Sequence, residues 1–266
     1  MDLNVKGMNA LSLVALAALV LTVPVQAATI TGSGSGVNGA QLEAQASFDI
    51  SGDFLTITLV NIATADEETG GQDTPGNTLT GLFFDITGAP TLTTVSATIP
   101  GGSSIIQDGT CNPGPCTGVT DVSGEWGFSQ TQDFTITGGP NAGYGIASPG
   151  YLSTGRPMNI GNFNNGAAGT NLDDPASLDG INFGIVSGAG TYTPNGGLAS
   201  DPLIQDSLVL VLSGATDLSM SDFTNVSFQY GTGFGEPNIP AVPVPAAVWL
   251  FGSGLLGLVG MARRKS

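Results

Sequence analysis

Short runs rich in Val, Ile, Thr, Leu and Phe succeed one another along this chain, and Gly, Pro, Asn or Asp residues flank most of them. That rhythm constrains the fold more than any other feature. The runs lie at residues 47–50, 54–63, 82–87, 92–99, 133–137, 181–186, 203–212 and 225–230. β-Branched and aromatic side chains suit the pleated, half-buried surface of a sheet, and turn residues end each run where the backbone must reverse. Between residues 28 and 240 no apolar pattern keeps a 3.6-residue period over three turns, so a helical core has no source. The expected fold class is all-β. Two sheets packed face to face, as a β-sandwich or jelly roll, bury such strands economically. A solenoid is the alternative, although no fixed repeat is visible.

Local signals refine this reading. Ser51-Gly52-Asp53 separates two runs as a hairpin turn and sets Leu55, Ile57 and Leu59 on one face of the second strand. Residues 138–169 shift to Gly, Asn, Pro and Ala, with Tyr144, Tyr151 and Phe163 interspersed, and are read as a long surface excursion from one domain. Gly32, Gly34 and Gly36 alternate with serine and are read as a flexible segment. Residues 233–243 carry Pro237, Pro240 and Pro243 and are read as an extended linker.

The ends of the chain speak of export. Lys6 precedes an uncharged stretch over residues 10–23, and Val25-Gln26-Ala27 offers a small-residue cleavage site, so residues 1–27 are expected to be a signal peptide forming a helix and cut between Ala27 and Ala28. This implies signal peptidase and the export machinery as partners. At the other end, residues 246–262 are uncharged for 17 positions and precede Arg263, Arg264 and Lys265. As a helix that stretch is about 25 Å long, a short transmembrane span whose basic end stays on the cytoplasmic side. The expected division is a signal peptide over 1–27, a β-rich ectodomain over 28–236, and a Pro-rich linker with the terminal signal over 237–266.

The tail has three parts: Val242-Pro243-Val244-Pro245, a short hydrophobic helix, and the terminal cluster Arg263-Arg264-Lys265. This layout resembles the PEP-CTERM sorting signal of Gram-negative bacteria, with Val244 standing where the commonest form has glutamate. The start over residues 242–254 (Val-Pro-Val-Pro-Ala-Ala-Val-Trp-Leu-Phe-Gly-Ser-Gly) is a familiar variant of that signal. The resemblance implies recognition and cleavage by a membrane protease-transpeptidase, exosortase, after export. The membrane is then met only through an inner-membrane intermediate, and the mature protein resides at the cell surface or in the extracellular matrix. The resemblance also supplies the polysaccharide and biofilm context.

Charge and cysteine usage agree with that route. Of the 5 Lys and Arg residues only Arg156 lies outside the two signals, and of the 21 acidic residues only Asp2 lies outside the body, leaving 20 negative charges against one positive. Such a surface repels nucleic acid, which is excluded as a partner. Cys111 and Cys116, the only cysteines, sit in Cys-Asn-Pro-Gly-Pro-Cys and are read as a local disulfide made in an oxidising compartment.

The chain contains no histidine, which excludes Ser-His-Asp and Cys-His nucleophile systems, and every lysine lies in a signal segment. No catalytic residue is assigned, and the chain is read as a non-enzyme. A glycoside hydrolase built on Glu125 beside Trp126 would need a second carboxylate facing it across a cleft. Core packing is the preferred reading of that segment. A carbohydrate-binding module is the other alternative, with Tyr144, Tyr151 or Tyr192 stacking on sugars. No cofactor is expected. Calcium candidates are Asp66, Glu67, Glu68 and Asp73, and separately Asp173, Asp174 and Asp179; neither set matches the EF-hand loop, and solvated acidic loops are the preferred reading.

Overall fold

The computed structural model describes residues 26–36, 39–63, 75–106, 110–111, 114–116, 118–148, 161–162, 181–188 and 201–242. In chain order the strands are β1 (Gln26–Ser35), β2 (Gln41–Ser51), β3 (Phe54–Asn61), β4 (Leu79–Ile86), β5 (Thr93–Thr98), β6 (Ser104–Ile106), β7 (Thr110–Cys111) and β8 (Gly114–Pro115). They continue as β9 (Gly127–Phe134), β10 (Ala142–Ala147), β11 (Gly161–Asn162), β12 (Ile185–Val186), β13 (Leu203–Gln205), β14 (Ser207–Ser213), β15 (Phe223–Tyr230) and β16 (Asn238–Pro240). Helical structure among the described residues is confined to short 3-10 turns, including Pro75–Asn77 and Met220–Asp222. Among the described residues the fold is all-β, in keeping with the periodicity of the sequence.

Two large sheets form. The first has five strands in the order β1-β2-β3-β14-β5. Alternation decides its faces: Leu42, Ala44, Ala46, Phe48 and Ile50 of β2 are buried, as are Leu55, Ile57 and Leu59 of β3, while Thr56 and Thr58 stay half-exposed. The predicted hairpin is present, with Ser51 opposite Phe54 and Gly52 at φ +61° in the two-residue turn, a backbone region that glycine enters without strain.

The second sheet curls into a half-barrel around β4. One edge of β4 pairs with β10 over Gly81–Phe84 and touches β12 at Leu79, while the other pairs with β15. Because β4 is covered on both faces, it reads as a nearly continuous apolar run instead of alternating. Phe84 enters the core shared with the first sheet, and Phe83 points into a separate cluster with Phe134, Ile136 and Phe234.

The run at 203–212 is not one strand. It breaks at Asp206, which adopts φ +83°, so that Leu203–Gln205 joins the second sheet and Ser207–Ser213 the first. Aspartate tolerates this region better than most residues. Here its carboxylate accepts hydrogen bonds from Ser207 Oγ at 2.9 Å and Ser103 Oγ at 3.2 Å. Asp206 N donates to Val186 O, and its carbonyl accepts from Asn61 N, so both sheets hold the switch residue.

Three further readings change. The Gly-Ser segment is not a flexible lead-in: β1 pairs with β2 along its whole length, from Gln26 opposite Ile50 to Ser35 opposite Gln41. Its glycines face inward: a Cβ on Gly32 would lie 2.8 Å from the Phe228 ring, and one on Gly34 would lie 3.2 Å from Ile239. Residues 138–169 are not wholly a surface excursion, since β10 lies between β4 and β9 in the second sheet. The stretch read as a linker is packed too: β16 pairs with β15, and Val242 bridges Thr31 of β1. The strand predicted at 133–137 lies earlier, as β9 over Gly127–Phe134, and that at 181–186 shortens to Ile185–Val186.

No helix among the described residues is long and apolar enough to cross a membrane. The signal helix and the 246–262 helix lie outside the described residues.

The glycine face of β1 yields a direct prediction. Gly32→Val is expected to destabilise the domain by about 1–3 kcal/mol, the usual cost of overpacking, with Ser33→Val near neutral because that side chain is exposed. Urea denaturation of the purified variants checks it.

Candidate functional site

A groove of about 520 Å³ lies where the C-terminal half of β1 meets β16. Ser33 and Ser35 lie on one wall, Asn238 and Pro240 on the other, and Glu236 and Thr137 also line it. Three segments built for other reasons converge here: the glycine face of β1 rests on Ile239, the loop after β15 returns the chain to β16, and Thr137-Gly138 follows β9.

The return loop is tied down by side chains. Gln229 is fully buried on β15, and its Nε2 donates to the carbonyls of Tyr230 at 2.7 Å and Gly233 at 3.0 Å. Its Oε1 accepts from Asn238 Nδ2 at 3.2 Å. Glu236 accepts from the Thr232 backbone N–H and from Thr232 Oγ1, closing the turn on itself. Asn238 is 8% exposed, yet its Oδ1 has no hydrogen-bond partner among the described residues. A buried amide oxygen without a donor is costly, about 1–3 kcal/mol. Gly139 leaves room for that carboxamide, since a Cβ there would lie 1.9 Å from Oδ1.

The residues singled out from the sequence fall elsewhere. Trp126 is fully buried and donates its indole N–H to Phe183 O at 3.1 Å, so it is a core residue with no face for a sugar. Glu125 lies half-buried in the turn before β9. Tyr144 is buried as well, stacked on Phe84 with ring centroids 5.6 Å apart, and its hydroxyl donates to Pro90 O at 2.7 Å. It is therefore unavailable as a sugar platform; Tyr151 and Tyr192 lie outside the described residues. Burial, and secondarily the neighbouring Asp85 carboxylate, raise the Tyr144 phenol above its ordinary value.

Cys116 is buried and disulfide-bonded, and Cys111 is the only other cysteine in the chain. β7 pairs with β8, with Cys111 opposite Gly114. The calcium candidates Asp66, Glu67, Glu68, Asp73, Asp173, Asp174 and Asp179 all lie outside the described residues, among which no group of three metal-binding side chains occurs. Ala27 and Ala28 are in β1, opposite Asp49 and Phe48, so a cut between them leaves the strand starting at Ala28. Val242 is the last described residue; Pro243, Val244, Pro245, Arg263, Arg264 and Lys265 lie beyond it.

Sequence reasoning missed the groove because both its walls lie in segments read as flexible or as linker. The available signal was the alternation Gly32-Ser33-Gly34-Ser35, a period of two that belongs to a strand whose inner face must stay bare. No known protein family, curated protein or solved structure matches the chain.

The raised Tyr144 value sets a pH dependence. The fold favours the neutral phenol, so this contribution is complete below the ordinary tyrosine value of about 10 and is lost as pH rises through the higher folded value. Tyr144→Phe is expected to cost about 1 kcal/mol at neutral pH through the lost bond to Pro90, and to lose less stability than the wild type above about pH 10. Urea midpoints of both proteins across that range measure the difference.

Proposed function

We propose that this chain is an exported, non-catalytic bacterial surface or matrix protein, sorted through its C-terminal signal by an exosortase-type protease-transpeptidase. The observation that supports this reading is that the described strands lie almost wholly between the two expected signals. The first described strand opens at Gln26, beside the expected signal-peptidase site, and the last ladder contact is made by Val242, immediately before Pro243. Removing both expected signals leaves the described ladders almost complete. The antiparallel bridge between Thr31 and Val242 also brings both ends to one edge of the domain. A protein tethered at either end therefore presents the same remaining surface outward.

On this reading the two sheets form a β-sandwich ectodomain. Signal peptidase and the export machinery act first, the tail holds an inner-membrane intermediate, and the matured domain joins the cell surface or the extracellular polysaccharide of a biofilm. Its acidic body favours solubility there and repels nucleic acid.

Intact-mass measurement of the protein recovered from the surface and medium of a Gram-negative host carrying an exosortase tests the proposal. The expected product starts at Ala28 and ends near Pro243, and the C-terminal cut disappears when the host exosortase gene is deleted. A species ending at Ser266 in the membrane fraction of the exosortase-positive host would overturn sorting and leave a single-span membrane protein.

A further inference from the structure

We infer that the open first half of β1 is the docking edge for this chain's own segment 243–246, so that the expected sorting motif is held on the folded domain until it is peeled away. That segment lies beyond the described residues; its course is set by the register in which the chain leaves them. β1 is the edge strand of the first sheet, with β2 on one side only. Val242 meets the other side opposite Thr31, in antiparallel register, and Val242 N donates to Thr31 O at 2.9 Å. In a strand the N–H and C=O groups of alternate residues point the same way, so those of Thr29 and Ala27 also point to the side on which Val242 stands. No described backbone group bonds them there, and both residues are exposed. An open, exposed edge invites a strand.

Continuing the antiparallel register from Val242 toward the start of β1 sets Val244 opposite Thr29 and Ala246 opposite Ala27. The prolines then decide which neighbour the segment can take. Just before it, successive residues face different strands: Ala241 N donates to Val226 O of β15, whereas Val242 N donates to β1. Pro243 and Pro245 fall in the set that faces β15, where they have no N–H to give. Val244 and Ala246 fall in the set that faces β1, and each has one. Proline on the outward side of an edge strand is what a sheet tolerates. A shift of one residue either way would put a proline opposite Thr29 and cost the ladder its donor. A cut between Ala27 and Ala28 leaves the Thr29 pair in place.

The side chains agree with that register, since facing residues of a ladder share one face of the sheet. Val244 joins the outer face beside Thr29, whose hydroxyl meets Ser47 Oγ there at 3.0 Å. Pro243 and Pro245 join the inner face beside Ile30 and Ala28, both half-buried, with Ile30 packed on the core. Two pyrrolidine rings thus cover the apolar rim that β1 leaves open. The consequence for processing rests on the sorting reading: a docked motif has its main chain already paired, so the sorting protease must first detach it.

Disulfide trapping in the purified full chain, held in detergent micelles with no protease present, tests docking apart from sorting. Facing residues of a hydrogen-bonded antiparallel pair have Cα atoms about 5.5 Å apart, within the reach of a disulfide. Thr29→Cys combined with Val244→Cys is expected to crosslink within one chain under mild oxidation, read by mass spectrometry of the digest. Ser33→Cys combined with Val244→Cys should not, because the register keeps those Cα atoms beyond about 7 Å. Without cysteine substitutions, Val244→Pro should speed amide exchange at Thr29 about tenfold, the equivalent of one hydrogen bond, and leave Ile30, which faces β2, unchanged. Docking is overturned by equal crosslinking of the two pairs, by Thr29 exchange that ignores Val244→Pro, or by crosslinks only between chains, which would give the edge to a second copy. In a host carrying an exosortase, the Thr29→Cys, Val244→Cys chain should keep its tail, scored after reduction, while the wild type loses it. Equal loss from both overturns the hold on processing. A wild type that keeps its tail counts against sorting and leaves the docking result standing.

Discussion

Three phenylalanines tie the two sheets of this domain into one body. Phe48 comes from the first sheet, and Phe84 and Phe223 from the second, with centroid separations of 5.0 Å for Phe48–Phe223, 6.0 Å for Phe48–Phe84 and 5.9 Å for Phe84–Phe223. Aromatic contacts of this kind add about 0.5–1.5 kcal/mol each beyond the area they bury. Tyr144 and Phe128 extend the stack across the second sheet. Around this centre Leu55, Ile57, Leu59, Leu208, Leu210 and Leu212 fill the first sheet's inner face. Strand β4 supplies Phe84 to this layer and Phe83 to the cluster behind it, so one strand carries two cores.

A sheet this size must also dispose of its edges, since unpaired strand backbone invites association with other chains. At one edge of the first sheet Val242 bonds to Thr31; at the other, Asp121 bridges Thr98, and Ile99 N donates to Thr120 O at 2.8 Å. Each closure uses a few residues from a segment outside the sheet. Beside the β1 closure Ile239 packs against Gly32 and Gly34, and the groove lies along this seam. Behind it Gln229 holds the return loop through its amide and accepts a hydrogen bond from Asn238 Nδ2.

The same economy relates the domain to its proposed route. The strand that opens the domain and the segment that closes it are antiparallel neighbours, so both ends leave from one edge. Cleavage between Ala27 and Ala28 would remove only the first two pairs of a ten-residue strand, and cleavage after Val242 would remove none of the described ladders. Maturation at either terminus therefore leaves the phenylalanine core untouched.

The sequence by itself determined the all-β class, the hairpin at Gly52, the inward face of β3 and the core role of Trp126, because these follow from local periodicity, turn chemistry and the cost of exposing an indole. It also carried the export and sorting reading, which rests on short linear signals at the ends. Only the tertiary structure decided that residues 203–212 divide between two sheets, that Gly32 and Gly34 make close contact with Phe228 and Ile239, that Tyr144 is buried, and that Asn238 lines a groove. Each of those depends on residues far apart in the chain meeting across the sheets. No local pattern encodes such meetings: glycine and serine in alternation read as flexible until a partner sheet arrives to explain why one face must carry no side chain.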